Sequence, residues 1–449
     1  MRAPYHSVLL ALLALSSATH VVGQDAYLTN FQLPRFVKTA TDHPIAVRVR
    51  NSSSTPVFTF RVDWRWNNEP VNEGPWQSTT GITGNQYWPY PHPVAFARPV
   101  TEAGVLKVWV VAIGEVDASD DTLRFPLTAI SGWSEKSTLI DAWTATWCPN
   151  CPPANSTTNL LAADPRVIIA KHHAVDEYSD ASSSEYFGQY NVTFTPAGVF
   201  DQGEYGGYAP NPNYDQWGLQ LTDRAVGVSP AAVEVTATIN AWTRELTATL
   251  NTTFGYAPPG EFTVNAYVVE DNVAGAQNNA PPGYVHQQVV RRVLGGTSGE
   301  TNVVPTSPAV GTSYTKTWSM EVPLTWDLND LRVIGYVTNR QNGTAYTLNV
   351  GTTGLTPVGV DEFDTGSGPY SVGPNPSVDE LWIQGPGTEG MLDVHVMTVR
   401  GQAVLHERMR MNGSSMRVVG ADQLAAGAYV VRLEGNGFSQ ALRWMRSSR

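Results

Sequence analysis

The sequence predicts a mixed, multidomain chain in which one α/β unit is flanked by β-sandwich modules. Three observations predict it. Strand-like runs with period-two alternation, separated by Asn, Gly, Ser and Pro, occupy both sides of the centre. In the middle, around residues 131–227, strand-like and helix-like runs alternate instead. Charged residues make up only 15%, while Trp reaches 14, a balance typical of extracellular β-rich modules rather than of helical cytosolic enzymes. With 449 residues and about 150 per domain, roughly three domains are expected. The net charge of -12 comes without a long basic run, so no nucleic-acid partner is expected.

The N-terminus, "MRAPYHSVLLALLALSSATHVVGQ", reads as a secretory signal peptide over residues 1–23. Arg2 supplies the positive start, Val8–Leu15 the apolar stretch, and Val21 and Gly23 the small-residue cleavage pattern. The apolar stretch is too short to span a bilayer, and no other segment approaches that length, so the mature chain is expected to be exported without a transmembrane segment.

Residues 24–130 are expected to form a β-sandwich. "HPIAVRVRNSS", "FTFRVDWRWN", "VLKVWVVAIG" and "DTLRFPLTA" are its strand candidates. The segment resembles the Ig-like domains of bacterial surface proteins. Trp64 and Trp66 share one strand face, which suits core packing better than a ligand site.

In residues 131–227, "STLIDAWTA" reads as a strand running into "TWCPNC", followed by a short helix from "PPANSTTNLLAADP". "RVIIAKHHAV" is a second strand, "SSSEYFGQYNV" starts as a helix, and "FTPAGVFDQG" returns to strand. Residues 228–355 revert to alternation in "AAVEVTATINAWTRELTATLNTTF", "EFTVNAYVVED" and "DLRVIGYVTNRQNGTAYTLNV", with a long polar loop, "GAQNNAPPGYVH". Residues 356–368 form a Gly-rich linker, and residues 369–449 a last small β unit.

Cys148 and Cys151 are the only cysteines. A disulfide between them closes so short a loop that it adds little stability, which points to chemistry rather than stapling. The order strand, CxxC, helix, strand, helix, Thr-Pro, strand is that of thioredoxin. The middle segment is therefore expected to be a thioredoxin-like α/β domain flanked by Ig-like β-sandwich domains. A cysteine at a helix N-terminus faces unpaired N–H groups and the positive end of the helix dipole, both of which favour thiolate. Cys148 would attack a partner disulfide, and Cys151 would resolve the mixed disulfide. Trp147 stands before the first cysteine, as thioredoxins have it. Thr195 and Pro196 match the thioredoxin cis-proline segment, which implies that they dock an extended partner chain.

Two departures stand out. Thioredoxins carry a buried carboxylate where this chain has Ala142, and the adjacent Asp141 should face the other way. Pro152 and Pro153 crowd the helix start and are expected to delay or kink it. His172 and His173 also face opposite ways, so at most one looks toward the cysteines. No fourth ligand is apparent, and no metal site or cofactor is expected.

"LIDAWTATWCPNCPPA", "VIIAKHHAVDEYSD", "YFGQYNVTFTPAGVFD" and the β segments after them resemble the outer-membrane-protein-28-related family of exported, thioredoxin-like proteins of Gram-negative bacteria. Cys148, Asn150, Cys151, Pro152 and Pro153 match its C-x-N-C-P-P pattern, and the resemblance covers about residues 131–355. The last 81 residues resemble the type A C-terminal sorting domain of type IX secretion cargo. The matching segments are Pro374-Asn375-Pro376, Val394–Val404, Leu424–Leu433 and a basic end with Arg443, Arg446 and Arg449. Thr398 stands where that family has Asp. The resemblance implies passage through the Sec system and then the type IX machinery, removal of the sorting domain, and a secreted or cell-surface destination. The expected function is that of an exported thiol–disulfide oxidoreductase acting on protein thiols or disulfides. The alternative is a non-catalytic binding or adhesion protein on the same scaffold.

Overall fold

In a computed structural model, the described residues are 24–447 except 30–32, 85, 115–120, 181, 204–210, 225–226, 241–242, 342, 359–367, 388–389, 400 and 436–437. The expected signal peptide and most of the expected linker lie outside the described residues. The chain divides into two compact units, Met1–Ala129 and Ile130–Arg449.

The first unit is all β. Ala26–Thr29, Ala46–Asn51 and Tyr87–Pro91 form one sheet. Phe36–Lys38, Thr122–Ile130, Glu102–Ala112, Val57–Trp66 and Asn72–Glu73 form the other, with Gln77–Ile82 also on Val57–Trp66. Alternate residues of the long strands turn inward into one apolar cluster. Trp64 and Trp66 are both in it. Their indole N–H groups still find acceptors, Trp64 in Val94 O (3.1 Å) and Trp66 in Glu102 Oε1 (2.8 Å).

The second unit centres on a seven-stranded sheet. Its elements in chain order are β1 (Thr138–Thr144), α1 (Cys151–Leu161), β2 (Val167–His173), α2 (Ser183–Gln189), β3 (Ala197–Phe200), α3 (Trp217–Arg224), β4 (Glu261–Glu270), β5 (Val289–Val293), β6 (Leu331–Gln341) and β7 (Thr344–Gly354). The sheet order is β3-β1-β2-β5-β4-β6-β7. β1 and β2 are parallel, joined by α1; β3 is antiparallel to β1. β5 continues the sheet beside β2 through the single pair Lys171–Val289, and the Lys171 N–H donates to Gln288 O at 2.8 Å. The sequence boundary expected at 227/228 therefore cuts through one continuous sheet. Every residue of β1 and β2 is buried, because both faces are covered. Ile140, Ala142, Val167 and Ile169 pack with Ala154 of α1 and Trp217 and Leu221 of α3. Leu139, Trp143, Ile168 and Ala170 pack with Tyr186, Tyr190 and Val192 on the other side.

A four-stranded sheet of Ser313–Glu321, Glu245–Phe254, Ala231–Asn240 and Thr356–Val358 lies over β6 and β7. Gly335 makes the close approach necessary: a Cβ there would sit 2.9 Å from Leu250 and Val235 side-chain atoms. Thr356–Val358, expected as the start of the linker, is a strand of this sheet, paired with Thr238–Asn240. Beyond it, Ala403–Met411, Gly390–Thr398, Gly427–Gly435 and Phe438–Arg446 form a four-stranded antiparallel sheet. A three-stranded sheet of Ser371–Gly373, Trp382–Gln384 and Ser415–Arg417 shares its core.

Candidate functional site

Cys148 and Cys151 are joined in a disulfide, Cα to Cα 5.5 Å, at the N-terminus of α1. The helix starts at Cys151 itself, so the expected delay by Pro152 and Pro153 does not occur. Both prolines fall in the first turn, where their missing N–H groups cost no intrahelical bond. The two sulfurs are deeply placed: Cys148 is 1% and Cys151 0% exposed, packed with Ala145 and Ala174. Trp147 is 53% exposed, and its indole N–H donates to Ala174 O at 2.9 Å.

Thr195–Pro196 is a cis peptide bond. It directly precedes β3, whose Ala197 pairs with Trp143 of β1. That register puts Thr195 and Pro196 at the end of the sheet from which β1 leads to Cys148. The Thr195 hydroxyl is buried without a hydrogen-bond partner among the described residues.

Ala142 faces α1, and Asp141 faces away from it, toward the aromatic side. There Asp141 Oδ1 bonds His172 Nε2 at 3.0 Å, and Trp143 stacks on the His172 ring with centroids 5.5 Å apart. The hydroxyls of Tyr186, Tyr267 and Tyr336 join in a buried network beside this pair, 2.8 Å between the last two. Burial holds all three phenols above their ordinary pKa. Beside Ala142 in register is Lys171, only 2% exposed, with Nζ 3.4 Å from Asn159 Oδ1 of α1. Burial lowers the Lys171 amine to about 7, against the attraction of Asp271.

His173 lies on the opposite face from His172 and bonds Asp176 Oδ2 through Nδ1 at 2.8 Å. The same carboxylate oxygen accepts the Thr146 N–H at 2.8 Å. Burial alone would raise the Asp176 carboxyl, but His173 and the N–H groups of Thr146 and Tyr178 hold it below its usual value. His286 packs against His173 with ring centroids 5.4 Å apart. Burial, reinforced by His173, lowers His286 to about 4, so it is neutral at pH 7. Among the described residues no group of three or more His, Cys, Asp or Glu is placed to hold a metal ion.

The residues that sequence reasoning missed come from the long polar loop. Its ends are clipped by the pairs Val273–His286 and Ala274–Val285, and its crown lies along the cysteine segment. Gln277 Nε2 donates to Ala145 O (3.2 Å), Thr146 O (3.3 Å) and Cys148 O (2.9 Å). The Asn278 N–H donates to Thr146 O at 2.7 Å, and its side-chain amide to Trp147 O at 2.9 Å. Asn279 reaches Pro149 O at 3.0 Å, and Asn155 of α1 donates to the Tyr284 hydroxyl at 3.0 Å. Five successive carbonyls, from Ala145 to Pro149, are thus held by one loop. The loop's length was the available signal, since long loops in compact domains are usually functional.

The family described as a secretion system C-terminal sorting domain matches residues 371–444. That domain marks the chain as type IX secretion cargo, bound for secretion or the cell surface, as expected from the sequence. No curated protein matches the chain. Among solved structures, HBP35 of Porphyromonas gingivalis is similar over 69% of this chain and 98% of its own, at 19% identity and a TM-score of 0.51. A domain of the outer membrane lipoprotein Omp28 from Porphyromonas gingivalis is similar over 29% of this chain and 90% of its own, at 17% identity and a TM-score of 0.20. The likeness to HBP35 is one of fold. No helix among the described residues is long and apolar enough to cross a membrane.

Proposed function

We propose that the second unit carries a thioredoxin-like thiol–disulfide exchange site, exported on a type IX sorting domain. Cys148 attacks, Cys151 resolves, and Trp147, Thr195 and Pro196 line the docking side for a protein thiol or disulfide. The observation that carries this reading is the disulfide at the start of α1, on a parallel β1-α1-β2 unit with a cis-proline strand beside it. At that position helix N–H groups stabilise the thiolate that leaves or attacks. No cofactor is needed for exchange between dithiols and disulfides.

Insulin reduction in the presence of dithiothreitol tests it. The full mature chain should accelerate turbidity, and Cys148→Ser should abolish the acceleration. Equal rates for the two proteins refute the exchange reading.

One observation favours the alternative, a binding protein with an inert disulfide: both cysteines are buried. A redox titration separates the readings. A potential below about -300 mV marks a structural bond, and a much higher one an exchanging pair.

A further inference from the structure

We propose that the loop Gly275–Tyr284 is an internal lid on the Cys148–Cys151 disulfide, and that the pair exchanges only after this loop lifts from the 145–149 carbonyls. The inference deepens the exchange reading and rests on it for its purpose, but its test does not depend on turnover.

Three independent features support a lid over a merely packed loop. The first is the chemistry of its contacts. The crown touches the cysteine segment through side-chain amides and one backbone N–H, all aimed at carbonyl oxygens. An apolar seal would be hard to reopen, whereas these bonds exchange for water at small net cost. The second is a hinge. The two-residue pairs at Val273–Ala274 and Val285–His286 clip the loop's base, and Asn272 and Gly283 take positive φ of 57° and 81° on either side of the crown. At Gly275 a Cβ would meet the Tyr178 hydroxyl at 1.8 Å, so a larger residue there requires that ring to move. The third is where the polar groups are left unpaired. Gln277 Oε1, His286 Nδ1 and His173 Nε2 are all buried without hydrogen-bond partners among the described residues. Closure therefore leaves polar groups unsatisfied that opening would hydrate, which narrows the gap between closed and open states.

Lifting the lid exposes the sulfurs to an external thiolate. That thiolate attacks Cys148 Sγ, a new S–S bond forms, the Cys148–Cys151 bond breaks, and Cys151 leaves as a thiolate that takes up a proton. A second thiol of the donor then attacks its own sulfur in the mixed disulfide and releases Cys148. The chain's disulfide is reduced to two thiols as the donor dithiol is oxidised to a disulfide. With the lid closed, Cys148 is 1% and Cys151 0% exposed.

The test is the rate at which dithiothreitol reduces the folded, full mature chain at pH 7, read by iodoacetamide trapping and mass. The triple variant Gln277→Ala, Asn278→Ala, Asn279→Gly removes the crown's side-chain bonds; glycine suits position 279, where φ is 61°. Its reduction should be faster by about tenfold, because the loop opens more often. Asn278→Ala alone, at an exposed position, should accelerate reduction by about two- to threefold. Rates equal to wild type in the single variant and in a folded triple variant overturn the lid; if the triple variant does not fold, the single variant decides. The exchange reading fails separately, through insulin turnover no faster than that of Cys148→Ser even when the lid variant is reduced quickly.

Discussion

The N-terminal sandwich and the sheet around the disulfide use their buried space differently. The sandwich core is aromatic and aliphatic, and its largest buried side chains, Trp66, Phe60 and Phe96, are there for packing. On the strands β1 and β2 that lead to the cysteine segment, Asp141, Lys171, His172 and His173 are buried, and Lys136 and Asp201 are buried at the other end of the same sheet. A fold needs no such groups for stability, since a well-packed apolar set does as well or better. Buried ionisable groups of this kind cluster at functional sites, and four of them lie on the strands that lead to Cys148 and Cys151.

Mutations can break that comparison. Phe60→Ala, which removes a fully buried ring of the sandwich core, should cost about 3–5 kcal/mol through the cavity it leaves, with the same loss across neutral and mildly acidic pH. Urea unfolding of the isolated transition at pH 5 and pH 7.5 checks this, and a pH-dependent loss contradicts the contrast. Asp201→Ala should cost a similar amount, about 3–5 kcal/mol, for an electrostatic reason. Asp201 is 0% exposed, bonds Lys136 Nζ at 2.8 Å and accepts the Leu139 N–H at 3.0 Å. Removing it strands a buried cation, so Lys136→Met should restore most of the loss in the double variant.

A smaller effect of opposite sign is expected at Lys171. Its amine is held near 7 in the fold and returns to its ordinary 10.5 when the chain unfolds. The unfolded chain therefore binds the extra proton between these values, and wild-type stability rises with pH across that window. Lys171→Met should stabilise the chain at pH 7 by about 1–3 kcal/mol and remove this rise. Thermal unfolding at pH 7 and pH 9.5 reads both. Smallest is His286, 2% exposed and lowered from 6.5 to about 4. Its stabilising neutrality is complete above pH 6.5 and is lost as pH falls toward 4, because the unfolded imidazole takes the proton first. His286→Gln should remove about 1 kcal/mol of that acid sensitivity. An unchanged pH profile would show that His286 does not contribute this acid sensitivity.

Much of the site was legible before the fold. The CxxC, the Thr-Pro segment and the opposed faces of Asp141 and Ala142 follow from spacing and period, which are properties of short stretches of chain. The helix start was misjudged because proline was weighed as a breaker; in the first turn its missing N–H has no partner to lose. The lid residues could not be read, because amide side chains in a polar loop carry no periodic signal. His286 was invisible for the same reason: only packing brings it to His173.

The sequence by itself determined the C-terminal sorting signal, the alternation that makes the flanking strands, and the cysteine pair at a helix start. These depend on local propensity and on neighbours a few residues away. The tertiary structure alone decided that β2 and β5 share one sheet across the expected boundary, and that the 275–284 loop bonds the carbonyls of residues 145–149. Both rest on pairings between residues far apart in the chain, such as Lys171 with Val289 and Gln277 with Cys148. Such pairings are selected by burial and hydrogen-bond satisfaction of the whole unit, which no local stretch encodes.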